Sequence, residues 1–284
     1  MELAATYEPD VDQSSLAGFV NQYASAYQSA RPFPHVVIDN FANPDVLEAI
    51  LDEFPTESHP AWHRMFDQNQ NKFAANLTEH LGPITRAFLN YLNAREMVNF
   101  LSAITGIEGL IPDPHLAGGG LHEIRRGGML RVHADFNWHE QLRLDRRINL
   151  LLYLNKDWRP EWGGQLQLWD DTMSRCYESI DPIFNRCVIF NTTDRSYHGH
   201  PDPLQCPPER RRRSIAMYYY TNGRPADEVN ESHATLFQLR AGEGTAGAVA
   251  STFVKRFVPP IAWDALRQIK TRRPGAARSE AAPH

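Results

Sequence analysis

The chain has 284 residues, enough for one large domain or two small ones, and its hydrophobic fraction of 42% is that of an ordinary soluble globular protein able to bury a sizeable core. A formal net charge of −5 argues against a nucleic-acid partner, and no apolar run approaches the roughly 20 residues that a membrane-crossing helix needs. Cys176, Cys187 and Cys206 have neither disulfide-framework nor zinc spacing, and the acidic N-terminus lacks a signal-peptide pattern, so a cytoplasmic, reducing setting is expected.

Residues 1–12 read as a loose tail. Leu16, Phe19, Val20, Tyr23 and Tyr27 recur at helical spacing, which predicts a helix over 13–29 that Pro32 and Pro34 stop. A strand is expected at 34–39. Asn43-Pro44-Asp45 then opens a helix with Asn43 as N-cap and Pro44 at its first position, and Val46, Leu47, Ile50 and Leu51 form its apolar face. The polar stretch 56–80, with Trp62, His63, Met65 and Phe66 inside it, reads as a long loop or flap. Helices follow at 83–92 and 94–105, the second capped by Asn93. Gly118-Gly119-Gly120 is not a phosphate loop, because no Gly-Lys-Ser/Thr follows and the next segment reads as a strand.

From residue 121 the pattern changes to short apolar runs at 121–126, 129–135, 147–155, 164–169, 186–191 and 212–220, the spacing of a β-sandwich or jelly roll. Helices first and strands later give an α+β fold with the N-terminal helices packed on one sheet. A single domain is expected over 13–270: helical support to 117, a jelly-roll core over 118–222, and a C-terminal extension over 223–270. That extension carries Pro259-Pro260 and an amphipathic piece with Ile261, Trp263, Leu266 and Ile269. Residues 271–284, rich in Arg, Pro, Ala and Ser, read as a disordered tail. There is no internal repeat, and no oligomeric state is assigned.

Chemistry enters at Arg131-Val132-His133-Ala134-Asp135. Residues two apart on a strand share a face, so His133 and Asp135 would present an imidazole and a carboxylate side by side. A second histidine from Tyr197-His198-Gly199-His200 would complete two His and one carboxylate. That set covers one face of an octahedral metal, leaves the other positions open, and is the usual site of a non-haem Fe(II) oxygenase. A lone His-x-Asp is a weak signal in a chain with 12 His. The order of parts is stronger: His-x-Asp, apolar strand, Gly-Gly hairpin, second His, then a basic residue entering a last apolar strand. By spacing, His198 and His200 both qualify as the second imidazole.

Three stretches carry a family resemblance: Ile148-Asn149-Leu150-Leu151-Leu152-Tyr153-Leu154-Asn155-Lys156-Asp157-Trp158, Gly163-Gly164-Gln165-Leu166 and Ile180-Asp181-Pro182-Ile183-Phe184-Asn185-Arg186. They resemble the core of the oxygen-sensing prolyl hydroxylases and, equally, of their bacterial and yeast ribosomal relatives. These are prolyl 4-hydroxylase-like dioxygenases dependent on 2-oxoglutarate and Fe(II). The likeness covers 120–222 closely and 30–120 by architecture. It implies a double-stranded β-helix (jelly roll), with Fe(II) on His133, Asp135 and His198, so that His200 becomes a neighbour of the metal or faces substrate. It also implies a salt bridge from Arg212 to the distal carboxylate of 2-oxoglutarate, with Tyr153 touching the same group and Ser214 completing an Arg-x-Ser pattern.

Arginine offers a planar fork that binds a carboxylate through two charge-assisted hydrogen bonds. Arg212, Ser214, Ala216 and Tyr218 share one strand face, as do Asn149, Leu151 and Tyr153, and two such faces turned inward would clamp a small dicarboxylate. Arg213 has the wrong parity, and the rest of the run 210–213 reads as a solvated edge rather than a nucleic-acid patch. Arg131 shares the His133 face and is a substrate candidate with His200 and Tyr218; His122, His139 and Trp138 are candidates for the mouth. Two departures stand out. The loop between His198 and Arg212 is long, with Pro201, Pro203, Pro207 and Pro208, and an Asp at 135 rather than Gly or Ala leaves no vacancy for a halide.

The resemblance thus implies an oxygenase using Fe(II), 2-oxoglutarate and O2, with ascorbate as an optional accessory. It would hydroxylate an unactivated C–H bond of a protein or peptide, most simply at proline. The alternative is a small biosynthetic metabolite such as a sugar, lipid or free amino acid, and a non-catalytic metal-binding jelly roll ranks last. Substrate choice is expected in 56–80, acting as a lid, and in 136–146 and 199–210.

Overall fold

The computed structural model describes Val11 and residues 13–240, and these described residues belong to one compact unit. The expected amphipathic piece around Trp263, the tail 271–284 and nearly all of 1–12 lie outside the described residues. The elements run in the order α1 (Gln13–Ser29), β1 (His35–Asp39), α2 (Pro44–Asp52), β2 (His63–Asp67), β3 (Gln70–Ala75), α3 (Pro83–Leu92), α4 (Arg95–Thr105), β4 (Ile111–Pro112), β5 (Gly120–Ile124) and β6 (Leu130–Ala134). There follow β7 (Trp138–His139), β8 (Leu144–Tyr153), β9 (Leu166–Trp169), β10 (Cys176–Ile180), β11 (Arg186–Asn191), β12 (His198–His200), β13 (Arg212–Thr221) and β14 (Leu236–Phe237).

The strands form one curled antiparallel sheet whose path is β1-β11-β8-β13-β5-β3-β6-β12-β9-β10. Its two halves alternate along the chain: β5, β8, β11 and β13 on one side, β6, β9, β10 and β12 on the other. This is the winding of a double-stranded β-helix, as expected. The period of two then sorts the side chains. On β8 and β13, Ile148, Leu150, Leu152, Ile215, Met217 and Tyr219 pack with Leu47, Ile50, Phe88, Leu89, Leu101 and Ile104 of the helices. The alternate residues Asn149, Leu151, Tyr153, Arg212, Ser214 and Tyr218 are left for the interior between the halves.

The helical layer is fastened by caps. Asn43 accepts the Asp45 N–H at 2.9 Å, as its position before Pro44 requires. Glu53 reaches across to the N-terminus of α3, accepting the N–H groups of Ile84 (3.0 Å) and Thr85 (2.7 Å), where the helix dipole favours a carboxylate. The cap expected at Asn93 is corrected: α4 starts from Ala94, while Asn93 closes α3 and donates from Nδ2 to the Asp113 carbonyl at 3.1 Å. The tail also ends earlier than expected, since Val11 is buried and its carbonyl accepts the Tyr91 hydroxyl at 3.0 Å.

The larger correction concerns 56–80. It is not a free loop: β2 and β3 make a hairpin, and β3 joins the sheet beside β5, with Phe73, Ala74 and Ala75 opposite Glu123, His122 and Leu121. Trp62, expected in the flap, packs on Phe54 and Phe73 and donates to the Thr56 carbonyl at 2.9 Å. Gln70-Asn71-Lys72 reads as loop because a strand facing a polar cavity lacks an apolar alternation.

Candidate active site

The interior of the double-stranded β-helix gathers one ionisable cluster. His133 on β6 and His198 on β12 are direct cross-strand partners. Close contact of these two strands requires Gly199, since a Cβ there would lie 2.8 Å from the carbonyl oxygens of Leu130 and Arg131. Asp135 follows β6, with its Oδ1 3.3 Å from His133 Nε2 and its Oδ2 3.4 Å from His198 Nε2. The three ligand atoms lie within 4.8 Å of one another, close enough to hold one metal ion.

The imidazoles are oriented for that task. His133 Nδ1 lies 2.8 Å from the Arg131 carbonyl and His198 Nδ1 lies 2.9 Å from the Ser196 carbonyl. A carbonyl only accepts, so each Nδ1 carries the proton and each Nε2 keeps a free lone pair toward Asp135. Burial pushes the His198 pKa down to about 4, against the opposing pull of Asp135. Burial also resists ionisation of Asp135, but the Arg146 guanidinium beside it outweighs this and holds that carboxyl well below its usual range.

Asp135 Oδ2 also accepts from Asn149 Nδ2 at 2.6 Å and from Arg146 Nη2 at 3.0 Å, while Asn149 Oδ1 accepts from Arg146 Nη2 at 2.6 Å. Asn149, expected beside the co-substrate, is therefore bonded to the metal-facing carboxylate. Arg146 was missed by sequence reasoning. A bulge between Tyr219 and Tyr220 shifts the β8–β13 register, which turns Arg146 inward against the parity of its strand. Its guanidinium lies 3.5 Å from the Tyr218 ring and 4.3 Å from that of Phe136. Tyr218 bonds through its hydroxyl to the Gly118 carbonyl at 3.1 Å, so it braces Arg146 rather than reaching the metal cluster.

A second group of polar side chains lies further inside. Arg212 is 5% exposed; its Nε donates to the Gly164 carbonyl at 2.7 Å and its Nη2 to the Tyr153 hydroxyl at 3.3 Å. The Tyr-Leu-Asn-x-x-Trp run sets this up. Asn155 accepts the Arg213 N–H at 2.7 Å and donates to the Arg213 carbonyl at 3.1 Å, which fixes the start of β13 with Arg212 inward. Trp158 Nε1 holds the Gly163 carbonyl at 3.0 Å. At Gly164 the backbone has φ +80°, and a Cβ would lie 2.9 Å from Arg212 Cδ, so only glycine leaves room for that side chain.

Arg211 and Arg213 point away from the cavity, to Glu57 and Glu123. The interior group also contains Ser214, opposite Tyr153 and His122 in register, and the buried His200. Arg131, expected on the His133 face, donates from Nε to the Gln68 carbonyl in the β2–β3 turn at 3.1 Å; β6 is bulged between its contacts with His198 and His200, which breaks the simple alternation. Of the mouth candidates, His122 belongs to the interior, and burial first, then Lys72, drive its pKa down to about 3. His139 stacks edge-on to Tyr220, and with Trp138 and Phe136 it lines a cleft of about 560 Å3 beside the cluster. β14 closes another side: Phe237 pairs with His133 and its ring lies 5.5 Å from that imidazole.

The polar inventory fits two guests. Two free Nε2 lone pairs and a carboxylate suit a divalent metal with open positions. The Arg212 guanidinium has no carboxylate partner among the described residues, and neither ring nitrogen of His200 has a hydrogen-bond partner there, which suits an anion between them and the metal cluster.

Residues 119–220 match the model of the 2OG-Fe(II) oxygenase superfamily. The matched stretch runs from the residue before β5 to the last residue but one of β13 and contains His133, Asp135, His198 and Arg212. Among curated proteins it is similar to prolyl 3-hydroxylase OGFOD1 of Mus musculus, with 26% identity over 196 residues; the match spans 66% of this chain and 33% of that relative. Among solved structures it is similar to a prolyl hydroxylase from Trichoplax adhaerens in complex with a hypoxia inducible factor oxygen degradation domain peptide fragment. That likeness has TM-score 0.54 and 17% identity, and covers 73% of this chain and 91% of the other. A prolyl-4-hydroxylase from Pseudomonas putida gives TM-score 0.50 and 17% identity, covering 73% of this chain and all of the other. The solved structures share the double-stranded β-helix fold.

Proposed function

We propose that this chain is an Fe(II)- and 2-oxoglutarate-dependent hydroxylase of an unactivated C–H bond in a peptidyl residue, most simply proline. The observation that carries this reading is the pairing, in one cavity, of a His133–Asp135–His198 cluster with a buried Arg212 that lacks a carboxylate partner among the described residues. A structural metal site needs no carboxylate receptor, whereas a site for metal and a dicarboxylate together needs both.

His133, Asp135 and His198 would hold Fe(II). Asn149 and Arg146 fix the Asp135 carboxylate and keep it ionised. Arg212 and Tyr153 would take the distal carboxylate of 2-oxoglutarate, with Ser214 beside them. When bound, Fe(II) and 2-oxoglutarate supply an oxidative decarboxylation that consumes O2, releases succinate and CO2 and hydroxylates the substrate. Around them, Leu151, Leu168, Val188 and Phe190 exclude water, and Phe237 covers the His133 side.

Likeness to a prolyl 3-hydroxylase and to a prolyl hydroxylase holding a peptide supports a peptidyl substrate. The cleft of about 560 Å3 beside Phe136 has the volume of a small-molecule pocket and supports a metabolite as the second reading. Three free cysteines, two of them buried, support a reducing, cytoplasmic setting, and no described helix is long and apolar enough to cross a membrane.

The test is to load the protein with Fe(II) and 2-oxoglutarate without oxygen, add proline-containing peptides or lysate metabolites, admit oxygen, and search by mass spectrometry for products heavier by one oxygen atom. A hydroxylated peptide is expected. Products confined to the metabolite fraction would favour the second reading, and absence of succinate under all conditions would exclude an oxygenase.

A further inference from the structure

The cavity holds more positive charge than the metal ligands and a single carboxylate receptor use. Asp135 is answered by Arg146 at 3.0 Å, and Arg212 awaits one carboxylate. Lys72 remains. It lies on β3, outside the segment that matches the superfamily model. Register puts it on the inner face: Ala74, two residues on, is opposite His122, whereas Phe73, of the other parity, is covered outside by Arg125 at 3.9 Å. The charges facing the Lys72 ammonium are Asp135, Arg146 and Arg212, with Asp135 the strongest. Among the described residues no carboxylate lies within ion-pairing distance of Lys72.

His200 gives an independent sign from β12. It is 3% exposed, it feels the charges of Arg212, Lys72 and His133, and neither of its ring nitrogens has a partner among the described residues. A neutral imidazole brings one N–H and one lone pair, and leaving both unmet in a buried site is costly. Two polar groups from separate strands, each feeling the charge of Arg212 and of the metal side, thus share one buried region of the cavity.

We propose that Lys72 and His200 form a second anion receptor, holding the keto-acid carboxylate of 2-oxoglutarate while Arg212 holds the distal one. This rests on the oxygenase reading. A dicarboxylate brings two charges, and the cavity offers two cations that no carboxylate of the described residues pairs with, Arg212 at the far end and Lys72, on which Asp135 is the strongest opposite charge. A lysine ammonium suits a carboxylate already engaged on one side by a metal, because it acts as a point charge and needs no bidentate approach. His200, which feels both cations, supplies a neutral N–H. The β2–β3 hairpin then contributes directly to co-substrate binding.

The test uses the full chain loaded with Mn(II), titrated calorimetrically with 2-oxoglutarate and with 2-oxopentanoate, which keeps the keto-acid end and lacks the distal carboxylate. Lys72→Met is expected to weaken both ligands about tenfold or more, Lys72→Arg to recover part of the loss, and His200→Leu to weaken both several-fold, with Mn(II) affinity and melting temperature kept. Arg212→Met is expected to weaken 2-oxoglutarate alone. Wild-type affinity of Lys72→Met for both ligands would overturn the proposal. So would a loss confined to 2-oxoglutarate, which would put Lys72 at the distal end. Failure of the unmodified protein to bind 2-oxoglutarate at all would instead remove the oxygenase reading beneath it.

Discussion

The two ends of the cavity are built differently. At the metal end both Nδ1 atoms sit on carbonyls and Asp135 Oδ2 takes Asn149 and Arg146, which leaves Arg146 Nη1 as the one buried nitrogen there without a hydrogen-bond partner among the described residues. At the far end Arg212 lacks a carboxylate and both nitrogens of His200 lack partners among the described residues. One end is organised before any ligand arrives, while the other is completed by the ligand. A pre-organised end should fail abruptly when cut, and a ligand-completed end should fail by degrees.

The largest effect is expected at the organised end. His133→Ala or Asp135→Ala should abolish iron retention and succinate production, read by metal analysis and product assay; near-normal succinate from either would exclude this site. The two variants should differ in stability. Asp135→Ala also strands the buried Arg146, and breaking a buried charge pair costs on the order of 3–5 kcal/mol, so its apo form should melt well below that of His133→Ala.

At the other end, Arg212→Ala should keep the metal and raise the 2-oxoglutarate requirement tenfold or more, since losing a buried charge-assisted pair costs about 2–5 kcal/mol. Arg213→Ala, whose side chain faces Glu123, should leave that requirement unchanged. An exchange of these phenotypes would contradict the observed register of β13.

Acid separates the ends less sharply, because both contain buried neutral imidazoles. Burial, reinforced by Lys72, depresses His122 to about 3, and burial depresses His198 to about 4, against an ordinary value near 6.5. Between those values the unfolded chain binds protons that the folded chain refuses, so stability is complete above pH 6.5 and falls as the pH drops toward 4 and 3. Each imidazole should cost about 2 kcal/mol by pH 5. Urea unfolding of the apo protein at pH 7 and pH 5 should show the drop, and His122→Phe should reduce it. A flat profile would mean that the cavity hydrates on acidification.

What was legible in the sequence follows the same physics. The inward faces of β8 and β13 could be read because one side of each packs on helices, so apolar residues alternate cleanly and Arg212 separates from Arg211 and Arg213. The His-x-Asp pair could be read because its chemistry is local. Arg146 could not, because a bulge reverses its parity, and nothing in Leu144-Asp145-Arg146-Arg147 announces the bulge. Lys72 stayed hidden in a strand whose polar inner face mimics a loop. β12, only three residues long, has no periodicity to read, and β14 lies in a segment whose return to β6 depends on tertiary pairing alone.

The smallest effect is expected on the outer strand of the β2–β3 hairpin. Its inner strand is stitched to β5, and its turn is held by the Arg131 N–H to the Asn69 carbonyl at 2.8 Å and by the Asn71 N–H to Met129 at 2.9 Å, so it cannot swing as a free lid. Its outer strand is an edge, and Phe66 there is 67% exposed, leaning on Arg64 at 4.4 Å. An exposed aromatic beside a cation on an edge that no further described strand pairs with is suited to a peptide laid alongside it. Phe66→Ser should therefore raise the KM for a peptidyl substrate several-fold while leaving iron, 2-oxoglutarate affinity and substrate-free succinate formation unchanged. It touches none of the groups at either end of the cavity, so a change in 2-oxoglutarate affinity would show that the hairpin's outer strand and Lys72 move together. An unchanged KM would shift recognition to the cleft beside Phe136 and Trp138, the geometry that favours a small metabolite.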